Sequence, residues 1–587
     1  MQGEPMLFHS RPAALAALIF CAATFAGCAH RQAAAPAEKP AAMVAAADPR
    51  AVDAGLAMLA QGGTATDAAI ATIAVLGLVE PQSAGVGGGG FLVSYDKATS
   101  AVDAYDGREQ APAAATAELF FGADGKPLPF PQAVASGRST GAPTLYAMLK
   151  MAHGEHGKLA WADLFAPAIK LADEGFAISP RLHDSVEGML ARGALKDDPA
   201  ARASLLGPDG AALPAGYIRK NPEYAATLRA LAAKGPAALS EGPIAAAILK
   251  TVHAEPRPGV LTAADLKAAA PRKLAAVCGA YRAYRVCGAP PPSSGGVATI
   301  ELLGLFARAR PNPVGANNPD DWAAFLWASR LAYADRDYYI ADDRYAPAPL
   351  AALVSPGYLD GRAAAANLAQ AAPAIVAPGD TGPGPWAGRW GRAAPPPESG
   401  TTHLSVVDAA GDAVALTASI EAPFGAQRMA AGFFLNNQLT DFSLNPLLNG
   451  KPVANAVAAG KKPRSSMSPT LVFDGKGDLY AVIGSPGGSA IIAYVAKTLV
   501  GVIDWKLSMQ QAIELPNVVA TGAEPRIEAE RFPKPVADAL AARGWKLRDS
   551  AFETSGLNGF VVTREGLDGG SDPRREGVAR ALTPPAR

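Results

Sequence analysis

The spacing of apolar and polar positions divides the chain into helical and strand-like stretches. Residues 50–80 predict helix: Val52, Leu56 and Leu59 recur at helical spacing, and after a break at Gly62-Gly63 so do Ile70, Ile73 and Ala74. Strand-like runs follow at 91–96 and 100–105. Residues 140–275 read as mostly helical, with 167–174 the clearest case, Pro167 at its start and Gly175 at its stop. Further helices are expected over 297–310 and 319–340. Residues 372–400 are rich in Pro, Gly and Ala and lack periodicity, which predicts an extended, exposed segment. At Thr401 the pattern becomes alternation, with Thr401, His403, Ser405 and Val407 on one face and Thr402, Leu404 and Val406 on the other. Asp408 to Asp412 predicts a hairpin, its loop Ala409-Ala410-Gly411 closed by Gly411 in the left-handed conformation. That loop pairs Asp408 with Asp412 and sets Thr401 opposite Ser419, with Glu421 next on the same face. Beyond it, 433–438 reads as a strand entering a polar loop, and 443–464 as a longer loop placed to act as a lid. Strands at 471–473 and 479–483 and an apolar helix over 490–503 complete the pattern. No internal repeat stands out.

Composition narrows the class. The chain has 587 residues, 49% of them hydrophobic, which argues against disorder. Net charge is zero and there is no basic run, so no electrostatic footprint for nucleic acid is present. His9 and Arg11 precede an uncharged apolar run over 12–26, too short to span a bilayer comfortably and suited to a secretory signal. Phe25-Ala26-Gly27-Cys28 resembles a bacterial lipobox. Residues 1–28 are therefore expected to be a signal peptide, with Cys28 the lipidated N-terminus of a periplasmic lipoprotein of a Gram-negative bacterium. Plain signal cleavage and a soluble periplasmic protein is the alternative. Residues 29–42 predict a flexible tether. Two strands around a short turn bring Cys278 and Cys287 opposite one another, and in an oxidising compartment a disulfide is expected. Their spacing is wrong for a zinc pair, and His153 and His156 lack a third ligand, so no metal site is expected. Gly85 to Gly90 matches GxGxxG, but a helix precedes it and a strand follows. That is the wrong context for a dinucleotide, and tight backbone packing is expected instead.

The candidate chemistry sits where the loose segment ends. If the Gly400–Thr401 bond is cut, Thr401 carries both a hydroxyl and a free α-amino group of pKa about 8, which can act as general base near neutrality. On this stretch alone an ordinary strand threonine after a linker is the commoner occurrence. Gly484-Ser-Pro-Gly-Gly-Ser489 joins a strand to a helix start and aims backbone N–H groups in one direction. It lacks the Lys-Ser/Thr pair of a phosphate loop, which leaves an oxyanion hole as the second reading.

TTHLSVVDAAGDAVALT (401–417), LNNQLTDFS (435–443), KPRSSMSPT (462–470) and GSPGGS (484–489) occur in this order. Upstream stand GGTATDAAIA (62–71), EPQSAGVGGGGF (80–91), DGREQAP (106–112), PAIKLADEGF (167–176), PPPSSGG (290–296) and YADRDYY (333–339). Together they resemble the γ-glutamyltransferase family of N-terminal-nucleophile hydrolases, from about residue 42 to Arg575. The resemblance implies an α+β fold, a four-layer αββα sandwich. It implies autocatalytic cleavage between Gly400 and Thr401 into a heterodimer, with a 43–400 large-subunit region and a 401–587 small-subunit region intertwined in one domain. Thr401 would attack the γ-amide carbonyl of glutathione or a related γ-glutamyl donor. The acyl ester would then be resolved by water or by an amino acid or peptide. Ser419 would hydrogen-bond the nucleophile, and Gly487 and Gly488 would hold the oxyanion. Arg108, Ser465 and Ser466 would bind the donor α-carboxylate, and Glu421, Gln438 and Asp441 its α-ammonium. No metal or cofactor is implied. Glu421 departs from the family, whose well-known members carry Asn there, and it adds negative charge near Asp441. A related acylase acting on glutaryl or β-lactam side chains is one rival, against which Asp441 and Gln438 speak. A non-catalytic envelope lipoprotein is another, against which Thr401 and the glycine turn speak. A scaffold role finds no repeat or coiled-coil signal.

Overall fold

The structure, a computed structural model, describes residues 42–392, 400–550 and 555–582. The expected signal peptide, Cys28 and nearly all of the tether lie outside the described residues, as do residues 393–399, just ahead of the expected cleavage point.

Thirteen strands form two large sheets: β1 (Met43–Ala46), β2 (Gly89–Asp96), β3 (Ala101–Gly107), β4 (Arg272–Ala275), β5 (Val277–Tyr281), β6 (Tyr284–Gly288), β7 (Gly400–Val407), β8 (Ala413–Glu421), β9 (Thr470–Phe473), β10 (Leu479–Gly484), β11 (Asn558–Thr563), β12 (Gly566–Ser571) and β13 (Val578–Ala581). The first sheet runs β13-β1-β7-β8-β2-β3-β4 and the second β12-β11-β10-β9-β6-β5. Strands from before and after residue 400 thus interleave, since β7 and β8 lie between β1 and β2.

Helices α1 (Pro49–Ala60) and α2 (Ala65–Val79) cover the first sheet, where Ile70, Ile73 and Leu76 share one core with Leu404, Val406, Val414 and Leu416. Gly62, at φ +80°, breaks the two helices apart, and a capping box between Thr64 and Asp67 restarts the second. Helices α3 (Gly295–Ala309), α4 (Pro319–Tyr339) and α5 (Ile491–Ile503) cover the second sheet. Phe91, Val93 and Tyr95 of β2 join that second core together with Leu471, Val472 and Val482, which fills the space between the sheets. The layers are helix, sheet, sheet, helix, an αββα sandwich.

The β7–β8 hairpin closes as its residues dictate. Gly411 stands at φ +90°, the Asp408 N–H donates to the Asp412 carbonyl at 3.0 Å, and Thr401 pairs with Ser419. The glycines at 87–90 are packing glycines. A Cβ on Gly88 would lie 2.2 Å from the Ser419 carbonyl oxygen, and one on Gly90 2.6 Å from that of Thr417. Cys278 and Cys287 are joined across β5 and β6.

Four details differ from the sequence reading. Residues 272–275 form an edge strand inside a region expected to be helical, because they pair with β3. Residues 372–392 are not simply exposed: Trp390 is buried with Ala341, Ala346 and Ala454, and Gly391 bridges to Val453. The strand expected at 433–438 is only Phe433–Phe434, followed by a 3-10 turn at Gln438–Asp441. The loop 443–464 carries a small hairpin of its own, Leu447–Leu448 against Lys451–Pro452.

Candidate active site

The site begins at the first rung of β7. The Thr401 and Ser419 hydroxyl oxygens lie 3.1 Å apart. Ser419 donates to the Gly400 carbonyl at 2.7 Å and accepts from the Glu421 N–H at 2.9 Å. A hydroxyl has one proton. With that proton on the Gly400 carbonyl, Ser419 is the acceptor towards Thr401. One serine therefore faces both the Thr401 hydroxyl proton and the carbonyl of the bond that precedes it. Gly400 is the residue that fits here, since a Cβ would lie 2.5 Å from the Glu421 and Ala422 carbonyl oxygens. Glu421 is not a plain next rung. A bulge after Ser419 sets it opposite Gly400 at φ +80°, and its carboxylate accepts from the Asn437 amide.

Arg108 leaves the end of β3 fully buried. It donates to the Pro463 carbonyl at 3.1 Å and the Arg464 carbonyl at 2.9 Å, and it pairs with Asp441 Oδ2. Gln438 Nε2 donates to the same oxygen at 2.8 Å. Asp441 Oδ1 and Gln438 Oε1 are buried and have no donor among the described residues. Burial lifts the Asp441 carboxyl above its usual range, and the Arg108 charge and the Gln438 hydrogen bond act against that lift. Glu109, next in the chain, is pushed up to about 8 by burial, against the opposing pull of the Arg108 charge.

Arg108, Thr401, Ser419, Glu421, Gln438 and Asp441 line one cavity, together with Ser465. Its volume is about 10 Å³, room for roughly one water. Ser466 does not line it; the Ser466 oxygen is held by Arg336. Neither do Gly487 and Gly488. They stand at φ +129° and +57° in the turn that delivers Ile491 to the cavity wall, and a Cβ on Gly487 would lie 2.4 Å from the Tyr494 ring. The two groupings of possible metal ligands among the described residues, at Asp103 and at His183, include no cavity residue. At the first of them Lys273 Nζ already pairs with Asp103 at 3.0 Å.

Sequence reasoning did not reach Met467 and Ile491, which complete the wall, nor Arg575, whose Nη1 donates to the Thr401 carbonyl at 2.9 Å. Burial pulls the Arg575 guanidinium down to about 9. The one signal for it was its place in the last stretch of the family resemblance. His403, two residues along the face that carries Thr401, packs against Gly484, where a Cβ would lie 2.3 Å from the ring. Burial drives its imidazole down to about 3, so it is neutral at physiological pH.

The family profile described as Gamma-glutamyltranspeptidase matches residues 51–582. The chain is 32% identical over 553 residues to a glutathione hydrolase proenzyme of Bacillus subtilis (strain 168), covering 92% of this chain and 91% of that one. It is 31% identical over 558 residues to the acylase ACY 1 proenzyme of Pseudomonas sp. (strain SE83), covering 93% and 95%. Among solved structures, the cephalosporin acylase from Bacillus halodurans superposes with a TM-score of 0.80 at 25% identity, covering 92% of this chain and 96% of that one.

Proposed function

We propose that this chain, which belongs to the gamma-glutamyltranspeptidase family, cleaves itself before Thr401 and then removes γ-glutamyl groups from glutathione and related donors. The observation that carries this reading is the buried Arg108–Asp441 pair beside the unpartnered Asp441 Oδ1 and Gln438 Oε1. An α-amino acid head group is a zwitterion. Its carboxylate replaces Asp441 on Arg108, with Ser465 alongside, and its ammonium replaces Arg108 on Asp441 and meets the Gln438 oxygen. A pair is exchanged for a pair. A glutaryl donor brings only the carboxylate and strands Asp441, a loss of about 2–5 kcal/mol for a buried charge that loses its partner.

In self-cleavage, Thr401 Oγ1 adds to the Gly400 carbonyl carbon as its proton passes to Ser419, which gives its own proton to the carbonyl oxygen. The C–N bond then breaks, the Thr401 nitrogen takes up that proton and becomes the free α-amine, and a Gly400–Thr401 Oγ1 ester forms; water hydrolyses the ester to a Gly400 carboxylate and the Thr401 hydroxyl. In turnover the free amine serves as base, and Thr401 Oγ1 attacks the γ-amide carbon. The N–H groups of Gly487 and Gly488 stabilise the oxyanion. Water, or an amino acid or peptide amine, resolves the acyl-threonine. Export with Cys28 as lipid-bearing N-terminus belongs to the same proposal, and Cys28→Ser should abolish incorporation of labelled fatty acid.

An acylase reading is favoured by the acylase relative, which matches as much of the chain. Two measurements decide. A denaturing gel should show two fragments for the wild type and one uncut, inactive chain for Thr401→Ala. Turnover of γ-glutamyl-p-nitroanilide should exceed that of glutaryl-p-nitroanilide, and the reverse order would make this chain an acylase.

A further inference from the structure

We propose that Arg336 is a positioning residue for the donor carboxylate: it holds the Ser466 oxygen so that the Ser466 proton is offered to that carboxylate. The inference rests on the proposed binding of the carboxylate beside Arg108 and Ser465.

Arg336 belongs to α4, a helix capped by Asn318, which accepts from the Asp320 N–H at 2.8 Å, and buried along most of its length. The guanidinium is fixed on three sides. Nη1 pairs with Asp337 at 2.8 Å, Nε donates to Ser294 Oγ at 2.9 Å, and Nη2 donates to Ser466 Oγ. Ser294 in turn uses its hydroxyl and its N–H on the Ser465 carbonyl, at 2.6 and 2.7 Å. Ser293 donates to the Met467 carbonyl at 2.6 Å. The segment Ser465-Ser466-Met467 is therefore clamped by α4 and by the turn at 290–296.

A guanidinium has donors only. Ser466 must accept from Arg336, and its own proton has no acceptor among the described residues. Ser466 stands between Ser465 and Met467, both of which line the cavity. A hydroxyl whose oxygen is held by a cation is polarised into a stronger donor. The ligand it suits is an anion entering between Arg108 and Ser465. The Arg336 charge is also felt at Asp441, where it favours the carboxylate.

The test uses two donors, γ-glutamyl-p-nitroanilide and 4-aminobutyryl-p-nitroanilide, which lacks the α-carboxylate. Arg336→Gln should raise KM for the γ-glutamyl donor about tenfold and leave kcat within about twofold, the pattern of lost ground-state binding. Its kcat/KM for the 4-aminobutyryl donor should stay at the wild-type value. Adding Arg336→Gln to Ser466→Ala should cost nothing more, because Arg336 acts through that hydroxyl. Should Arg336→Gln fail to mature, Arg336→Lys keeps a charge and a donor, and it should raise KM for the γ-glutamyl donor above wild type by less than about tenfold while leaving the 4-aminobutyryl donor unchanged. Equal losses on both donors, or losses that multiply in the double variant, overturn the role of Arg336 alone. A wild-type enzyme that does not distinguish the two donors overturns the carboxylate assignment and this inference with it.

Discussion

On the outer face of β7, Leu404 and Val406 pack among the aliphatic side chains of α2, in a core that needs only volume and shape. On the inner face Thr401, His403 and Ser405 are just as buried, and each is hydrogen-bonded. Ser405 spends its proton on the Asn558 carbonyl at 3.1 Å, so His403 Nε2 must donate to Ser405. His403 Nδ1 then accepts from Thr417 at 2.8 Å, which fixes the tautomer of the neutral ring. The same alternation thus serves two ends. The apolar face supplies stability and tolerates imprecision, whereas the polar face supplies little net stability but holds each hydroxyl in one place.

If that division is real, substitutions on the two faces should fail differently. The largest effect is expected at Ser419, the partner of Thr401 across the hairpin. Ser419→Ala removes both the acceptor of the Thr401 hydroxyl proton and the donor to the Gly400 carbonyl. Self-cleavage should slow by about 10²–10⁴-fold, read as the rate at which fragments appear on a denaturing gel, with the fold unchanged. Arg108→Ala comes next. It should lower kcat/KM for γ-glutamyl donors by about two to three orders of magnitude, while self-cleavage, which involves no donor carboxylate, proceeds almost normally. Arg108→Lys should recover little, because an ammonium cannot reproduce the fork that reaches Asp441 and two backbone carbonyls. On the outer face the signature reverses. Leu404→Ala should destabilise the protein by about 2–5 kcal/mol, seen as a lower apparent Tm, and leave cleavage and kcat/KM near wild type at 25 °C. A Leu404→Ala variant that matures slowly but melts normally would erase the distinction between the faces.

The hairpin was legible because it is local. Period-two alternation and one glycine in the left-handed region set the register that puts Thr401 opposite Ser419. What pattern reading missed is non-local or set by backbone detail. Arg575 reaches the Thr401 carbonyl from 174 residues away, and nothing in the spacing around it marks a buried cation. The bulge that turns Glu421 to φ +80° breaks the simple ladder at the residue where the family departure lies. Ser465 and Ser466, read as equivalent, are separated by what Arg336 holds. Trp390 buries itself in a segment whose composition reads as exposed, because Ala341, Ala346 and Ala454 leave a socket for it.

The smallest expected effect isolates the polar face by its proton chemistry. The His403 pKa lies at about 3 in the fold, against about 6.5 in an unfolded chain. The unfolded state therefore binds the proton first, and the fold loses stability as pH falls through 6.5, until the folded-state pKa is reached. At pH 5 the unfolded chain gains about 2 kcal/mol from protonating this one imidazole. His403→Gln has no such titration. At pH 7.5 it should be less stable than wild type, having lost the imidazole's hydrogen bonds to Thr417 and Ser405. Acidification to pH 5 should then lower its apparent Tm less than that of the wild type, so the two curves converge. Carboxyls such as Glu109 and Asp441 titrate in both proteins and cancel in the difference. A gap that stays constant from pH 7.5 to 5 would mean that the imidazole accepts a proton inside the sandwich, and that the inner face is not the closed hydrogen-bond network its geometry describes.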